Sequence, residues 1–472
     1  MGQDIGSIRF GAAEREEFTR RLAAETALLA QLADADALSS AGPVGGFELE
    51  AWLVDRAMFP VPHNQSFLSR LGDGLVVSEL SRFNIELNGL PRGLGGAGLA
   101  EMEQELAATW SRCLSEAHEE VDTAIAIGIL PTLRDADLSL DNMTPSNRYV
   151  ALNREVMRLR GGAPVEIDID CADPAGEHLR TSHADVMLEA GTTSFQLHLQ
   201  VPLEQLAATY DASLELAGPL VALSANSPFL FGKPLWHETR IPLFEQAMSG
   251  AGGEASDTAR VFLASRYADG DPLALFAENL ERFAVLLPIL SDQPADRFAH
   301  LRLHNGTIWR WVRLLAGFDQ DETPHVRLEQ RIMPAGPSVI DMFANAAFYY
   351  GAVHALAQRP AALPLDVVRA NFYAAARNGL NAEIAWAGEA RRPVRDVLGG
   401  LLPLARQGLE QLGTDSALID RNLGVIEQRI ASGRNGATWQ LAHHARHGDL
   451  FRLTADYLEH QRSGMPVHEW TV

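Results

Sequence analysis

Four stretches of the chain alternate polar and apolar side chains with a period of two. In GFELEAWLVD (46–55), Glu48 and Glu50 share a face, while Phe47, Leu49 and Ala51 share the other. NIELNG (84–89) sets Asn84, Glu86 and Asn88 against Ile85 and Leu87. SFQLHLQVP (194–202) sets Ser194, Gln196, His198 and Gln200 against Phe195, Leu197, Leu199 and Val201. RLEQRIM (327–333) puts Arg327, Glu329 and Arg331 together. In an extended chain, residues i and i+2 point the same way. Each stretch is therefore a strand with one apolar face, and that face needs a covering layer.

The covering material is helical. Residues 13–38 have helical spacing and end at the breaker cluster AGPVGG (41–46). Residues 99–128 read as one long amphipathic helix. Beyond about residue 340 the pattern is helical to the end. PVEIDIDC (164–171) adds a further alternating strand. The strands are far apart in sequence, which predicts an α+β fold: an antiparallel or mixed sheet with helices on one side. QLAHHARHGD places His443 and His444 on a surface helix.

The net charge of −22 removes any general attraction for nucleic acid or anionic lipid. Cys113 and Cys171 lie in no metal-type spacing. The N-terminus lacks the basic and apolar regions of a signal peptide, and no run approaches the length of a membrane span. The expected location is cytoplasmic, with no nucleic-acid and no membrane partner.

A solvated outer face is the commonest reason for strand alternation, and Lys and Thr are typical there. The polar rows here hold no Lys. Carboxylate, imidazole, amide and guanidinium are the groups that bind divalent cations and phosphates. Adjacent strands would crowd Glu48, Glu50, Glu86 and Glu329, and such a group needs cations to stay ionised. Mg²⁺ suits oxygen ligands and bridges to nucleotide phosphates. Arg240 and Arg331 would then meet phosphate or carboxylate oxygens by forked hydrogen bonds. GLPRGLGGAG (89–98) is not a Walker A loop; it reads as a turn, with 89–100 one candidate lid. HNGTIWRWVRL (304–314) is either a core strand with a polar edge or a pocket wall. In the second reading Arg310 or Arg313 grips a carboxylate, and Trp309 or Trp311 shapes the pocket.

GFELEAWLVD, ELSRFNIELNG, SFQLHLQVP, SANSPFLFGKPLWHETRIPLFEQ, HNGTIWRWVRL and RLEQRIMPAGPSVIDMFANAAFYYGAV together resemble glutamate–cysteine ligase family 2, in its bacterial carboxylate–amine ligase branch. The resemblance runs from about residue 44 to the C-terminus. It implies the glutamine synthetase-like catalytic fold, a curved antiparallel sheet forming a funnel, with helices on its convex face. It implies three regions: an N-terminal helix (1–43), a catalytic antiparallel-sheet region with inserted helices (44–340), and a helical part (341–472) packed on the sheet in the same domain. ATP and two or three Mg²⁺ ions would sit on the concave face.

The family's metal positions fall on Glu48, Glu50, Glu79, Glu86, His198 and Glu329. Arg331 and Arg240 take the catalytic positions near the transferring phosphoryl and the substrate or nucleotide, with Gln196 beside the nucleotide. Asn88, Trp309, Arg310 and Arg313 are the substrate-side candidates. The activity implied is activation of a glutamate-type carboxylate as an acyl phosphate, then attack by an amine such as cysteine, as in glutathione biosynthesis. Another amine acceptor, a guanidino-type phosphotransferase and a non-catalytic nucleotide-binding regulator are the alternatives. The partners expected are small-molecule substrates, with a homo-oligomer as one option.

Overall fold

The computed structural model describes residues 5–116, 121, 123–172, 176–249, 259–388 and 390–472. The alternating stretches meet in one curled, eight-stranded antiparallel sheet. Its path runs Val312–Phe318, Pro324–Gln330, Phe195–Gln200, Val44–Val54, Asn84–Asn88, Val76–Ser78. Arg92–Gly93 and Thr123–Ile125 pair with the two ends of Val44–Val54. The register decides which polar side chains meet. Glu50 lies opposite Glu86, and Glu48 lies opposite Asn88 on one side and Gln196 on the other. Glu329 lies opposite His198 and Arg313.

The apolar face is covered by the helix Val339–Leu356, nearly all of which is buried. Phe343 packs edge-on against Phe47 (5.7 Å) and Phe195 (5.9 Å). Such aromatic edge contacts add to the area they bury. The Tyr350 hydroxyl donates to the carbonyls of Gly46 (3.1 Å) and His198 (3.0 Å), which ties this helix to two central strands. Behind it runs Val394–Gln411, and the two helices cross at glycines. A Cβ on Gly408 would collide with the Gly351 carbonyl, and one on Gly351 with the Ala405 carbonyl. Arg429 pairs with Asp341 at 2.7 Å, both fully buried, and joins Ser416–Ser432 to the covering helix. The N-terminal helix Ala12–Asp34 is fastened elsewhere. Buried Glu25 accepts from the backbone N–H groups of His300 and Leu301 (both 2.8 Å) at the start of Ala299–Asn305, and its other oxygen meets His300 Nδ1 at 2.5 Å.

Four sequence expectations change. The helix expected over 99–128 ends at Ser115; residues 117–120 and 122 lie outside the described residues. Thr123–Ile125 is a buried strand instead, and a short apolar run does not distinguish strand from helix by periodicity. Val165–Asp170 is a strand, but among the described residues it pairs with His178–His183 alone, in a separate ribbon. The Gly-rich candidate lid is anchored: Arg92–Gly93 pairs with Val44–Gly45, Thr414 Oγ1 donates to Leu94 O, and Gly96 exchanges backbone bonds with Gly413 and Asp415. His443 is buried and bonded to Asp456 at 2.7 Å, because its helix packs that face inward. No described helix is long and apolar enough to cross a membrane.

The glycine crossing yields a test. Gly408→Ala should lower stability by about 1–3 kcal/mol through overpacking. Gly399→Ala, on the exposed side of the same helix with open space around it, should raise stability by about 0.5–1 kcal/mol. Urea midpoints at unchanged m-value are the readout; equal effects at the two positions would contradict the close crossing.

Candidate active site

On the wet face of the sheet two groups of ligand atoms converge. Glu48, His198 and Glu329 form one; Glu50, Glu79 and Glu86 form the other, and within each group the ligand atoms lie within 4.8 Å of one another. Five of these six residues come from neighbouring strands, so the sheet register itself delivers them. Glu79 reaches in from just beyond Val76–Ser78, its Oε2 accepting from Leu80 N at 2.9 Å.

A solvent-open cleft lies beside the second group. Glu50, Glu79, Arg240, Trp311 and Arg331 line it, as do Glu189 and Thr192–Ser194 from the turn that leads into Phe195–Gln200.

The arginines are fixed in different ways. Arg331 Nη1 donates to Glu329 Oε2 (3.0 Å) and to Gln196 Oε1. Its Nε and Nη2 donate to no acceptor among the described residues. Half of a guanidinium fork thus stays available in the cleft. Arg240 is occupied: Nε donates to buried Glu238 (3.0 Å), Nη2 to Ile332 O, and the group stacks over Trp311 at 5.1 Å. It braces the chain that carries Arg331. Trp311 is braced in turn, its Nε1–H donating to Glu245 at 2.8 Å.

The remaining expected residues are sorted by geometry. Gln196 bridges the centre, its Nε2 donating to Glu50 Oε1 at 3.0 Å. Asn88 donates to Glu86 at 2.9 Å, so it orients a carboxylate and does not line the cleft. Arg313 is spent on Glu329, with Nε–Oε2 at 2.5 Å and Nη2–Oε1 at 3.2 Å. Arg310 has the opposite strand parity from Trp311 and points away, to Glu278 (3.2 Å) and the Phe262 ring. Trp309 packs at 6.3 Å from Phe244, outside the cleft lining. Arg310 and Arg313 are thus committed to acids, and Trp309 lies outside the cleft lining. Arg327, on the same polar row, donates from Nε to His198 Nδ1 at 3.0 Å. The imidazole proton then sits on Nε2, directed at Glu48 Oε1 3.1 Å away. For His198 to offer that nitrogen to a cation, the ring proton has to move to Nδ1 and Arg327 has to turn.

Burial and mutual repulsion shape the acids. Burial, then Glu48, pushes Glu86 up to about 8. Burial pushes Glu79 well above the ordinary carboxyl range, with Glu86, Glu50 and Glu189 adding to it. Glu50 is raised by burial, with Arg331 opposing. Burial also works against Glu329 and Glu48, but Arg313 and Arg331 hold the first, and His198 the second, below the ordinary range. The all-oxygen group Glu50, Glu79 and Glu86 fits a hard divalent cation: burial and mutual repulsion outweigh the pull of Arg331 and Arg240 on Glu50, and the ligand set is the one Mg²⁺ takes. Sequence reading missed Glu189 and Glu238. Glu189 is an isolated acid in the apolar run VMLEAG (186–191), and Glu238 lies two residues before Arg240.

A family model described as glutamate–cysteine ligase family 2 matches residues 44–456. No curated protein sequence matches the chain. Among solved structures, the glutamate–cysteine ligase of Francisella tularensis, in complex with AMP, aligns over 89% of this chain and 89% of its own, with a TM-score of 0.59 and 11% identity. A bifunctional glutathione synthetase from Pasteurella multocida aligns over 95% of this chain and 54% of its own, with a TM-score of 0.54 and 14% identity. At these identities the likeness is one of fold.

The carboxyl shifts set a pH dependence. Glu79 and Glu86 have folded-state values above their unfolded ones, so the folded state binds more protons between the two. The stability they contribute is complete below about pH 4.5 and is lost as pH rises toward about 8. A cation that replaces those protons should restore it. The Mg²⁺-induced rise in Tm should therefore be larger at pH 8 than at pH 6, and Glu86→Gln should shrink the difference. An Mg²⁺ effect that is flat across this range would rule out the carboxylate group as its origin.

Proposed function

The chain belongs to glutamate–cysteine ligase family 2, and from that membership we propose that it is an ATP- and Mg²⁺-dependent carboxylate–amine ligase. The carrying observation is one cleft lined by Glu50 and Glu79, two of three converging carboxylates, and by Arg331, whose Nε and Nη2 meet no acceptor among the described residues. Phosphoryl transfer needs positioning and charge neutralisation more than a protein nucleophile. Glu50, Glu79 and Glu86 would hold Mg²⁺, which supplies neutralising charge to the nucleotide phosphates.

The chain's own groups supply the rest. Arg331 directs Nε–H and Nη2–H toward the transferring phosphoryl, held by Glu329 and Gln196 on its Nη1 side. Arg240 fixes the backbone at 331–332 and so acts as a positioning residue. A substrate carboxylate oxygen attacks the terminal phosphorus of ATP, and the bond to ADP breaks to leave an acyl phosphate. An amine then attacks the acyl carbon, phosphate leaves, and the nitrogen loses a proton to give an amide. A glutamate-type donor and an amine such as cysteine are the substrates the family membership suggests. The acyl phosphate has to be shielded from water.

The test is ADP release with Mg²⁺, ATP and L-glutamate across a panel of amines. Amine-dependent ADP with an amide product is expected. A phosphorylated product without amide would make the protein a phosphotransferase. No turnover with any amine, together with no nucleotide binding by calorimetry, would overturn the reading. Arg331→Lys should lower kcat by roughly a thousandfold, since a point charge does not replace the planar fork. Glu50→Gln should remove Mg²⁺-dependent turnover while the melting transition persists; normal turnover in that variant would refute the metal assignment.

A further inference from the structure

The acids around the cleft differ in one respect. Glu50 accepts from Ser194 N (2.7 Å) and Gln196 Nε2 (3.0 Å), Glu79 from Leu80 N (2.9 Å), and Glu86 from Asn88 Nδ2 (2.9 Å). The Glu189 carboxylate lines the same cleft, yet it accepts no hydrogen bond and makes no ion pair among the described residues. Its backbone, by contrast, is held. Glu189 O accepts from Thr192 N (3.1 Å) and Thr192 Oγ1 (2.9 Å), and its neighbours Met187, Leu188, Ala190 and Gly191 are buried. The side chain is thus presented from a rigid short turn and left without a partner. A partly buried carboxylate with no partner among the described residues is costlier to ionise than one in water. Burial, then Glu50, pushes Glu189 up to about 8, with Arg331 pulling back.

A metal ion is a poor match. Among the described residues Glu189 belongs to neither group of converging ligands. A single carboxylate suits a monovalent cation bearing N–H donors, which can bond to it while the cation's other donors reach the Thr192–Ser194 wall. We infer that Glu189 is a specificity-determining residue that receives the ammonium of an amino-acid substrate in this cleft. The inference rests on the ligase reading and adds to it: the site then selects an ammonium-bearing substrate over an isosteric acid or amide that lacks the charge. The ammonium has two sources, the α-ammonium of the carboxylate donor or that of the acceptor, and the chemistry at Glu189 is the same for both.

The experiment compares wild-type enzyme with Glu189→Gln and Glu189→Asp, using L-glutamate, glutarate and the accepted amine, with KM for ATP as an internal control. A lost charged hydrogen bond should raise one KM by about 10- to 100-fold, with partial recovery in Glu189→Asp. A rise for glutamate but not for glutarate assigns the donor ammonium; a rise for the amine alone assigns the acceptor. The KM for ATP and the Mg²⁺ dependence should hold within about twofold of wild type. Unchanged KM values for both substrates, or a change confined to ATP or Mg²⁺, would overturn the inference while leaving the ligase reading intact. Glutamate binding to the wild-type protein, measured by calorimetry with ADP and Mg²⁺, separates the two: a wild-type enzyme with neither turnover nor binding refutes the ligase reading itself. Should Glu189→Gln fail to fold, Glu189→Asp carries the same comparison.

Discussion

Glu50 and Glu86 stand directly opposite each other on adjacent antiparallel strands, and like charges in that position repel. A sheet free to shift its register would relieve this. Here the strands cannot shift, because a one-residue slip would turn Phe47, Leu49, Ile85 and Leu87 out of the core. All four are buried, and Phe47 is locked against Phe343 from behind. Apolar burial on one face therefore maintains an unfavourable electrostatic arrangement on the other. Tyr350 fastens the same covering helix to the strands that carry Glu48 and His198. The cation affinity proposed for the site is stored in this opposition.

The wet face is divided by charge balance. On the Glu329 side, Arg313 and Arg331 already compensate the acid, and Arg327 occupies His198. On the Glu50 side, three acids converge, and the pull of Arg331 and Arg240 on Glu50 does not offset its burial. Among the described residues the first half is more nearly balanced in charge than the second. Such an asymmetry suits phosphoryl transfer, where the protein's part is to place charges before the reaction begins. The tryptophan-rich stretch contributes Arg313 to Glu329 and Trp311 to Arg240, which it supports from its ring face.

Much of this was legible in the chain. The period-two rows located the four strands and the wet and dry face of each, because side-chain alternation is a local property. The family resemblance, carried by motif order, placed the acids on those rows and named the fold. The errors share a cause. Thr123–Ile125 and His443 were misread because complete burial erases the polar–apolar contrast that periodicity needs. Arg310 and Arg313 looked equivalent in sequence, yet strand parity sends one to Glu278 and the register sends the other to Glu329. Glu189 left no periodic signal, since its short turn has none.

By itself the sequence determined which residues could share a face, that the faces would be an acid- and amide-rich side and an aliphatic side, and that helices would cover the latter. Those follow from the spacing of bonds along the backbone. Only the tertiary structure decided which carboxylates lack compensation, which arginines are already bonded, and that the Gly-rich segment is anchored to the C-terminal helices. Several of these depend on partners more than a hundred residues away, as Glu50 on Gln196, Arg331 on Gln196 and Leu94 on Thr414. The strength of a charge interaction is set by what surrounds the pair after the chain has closed, and no local pattern encodes that.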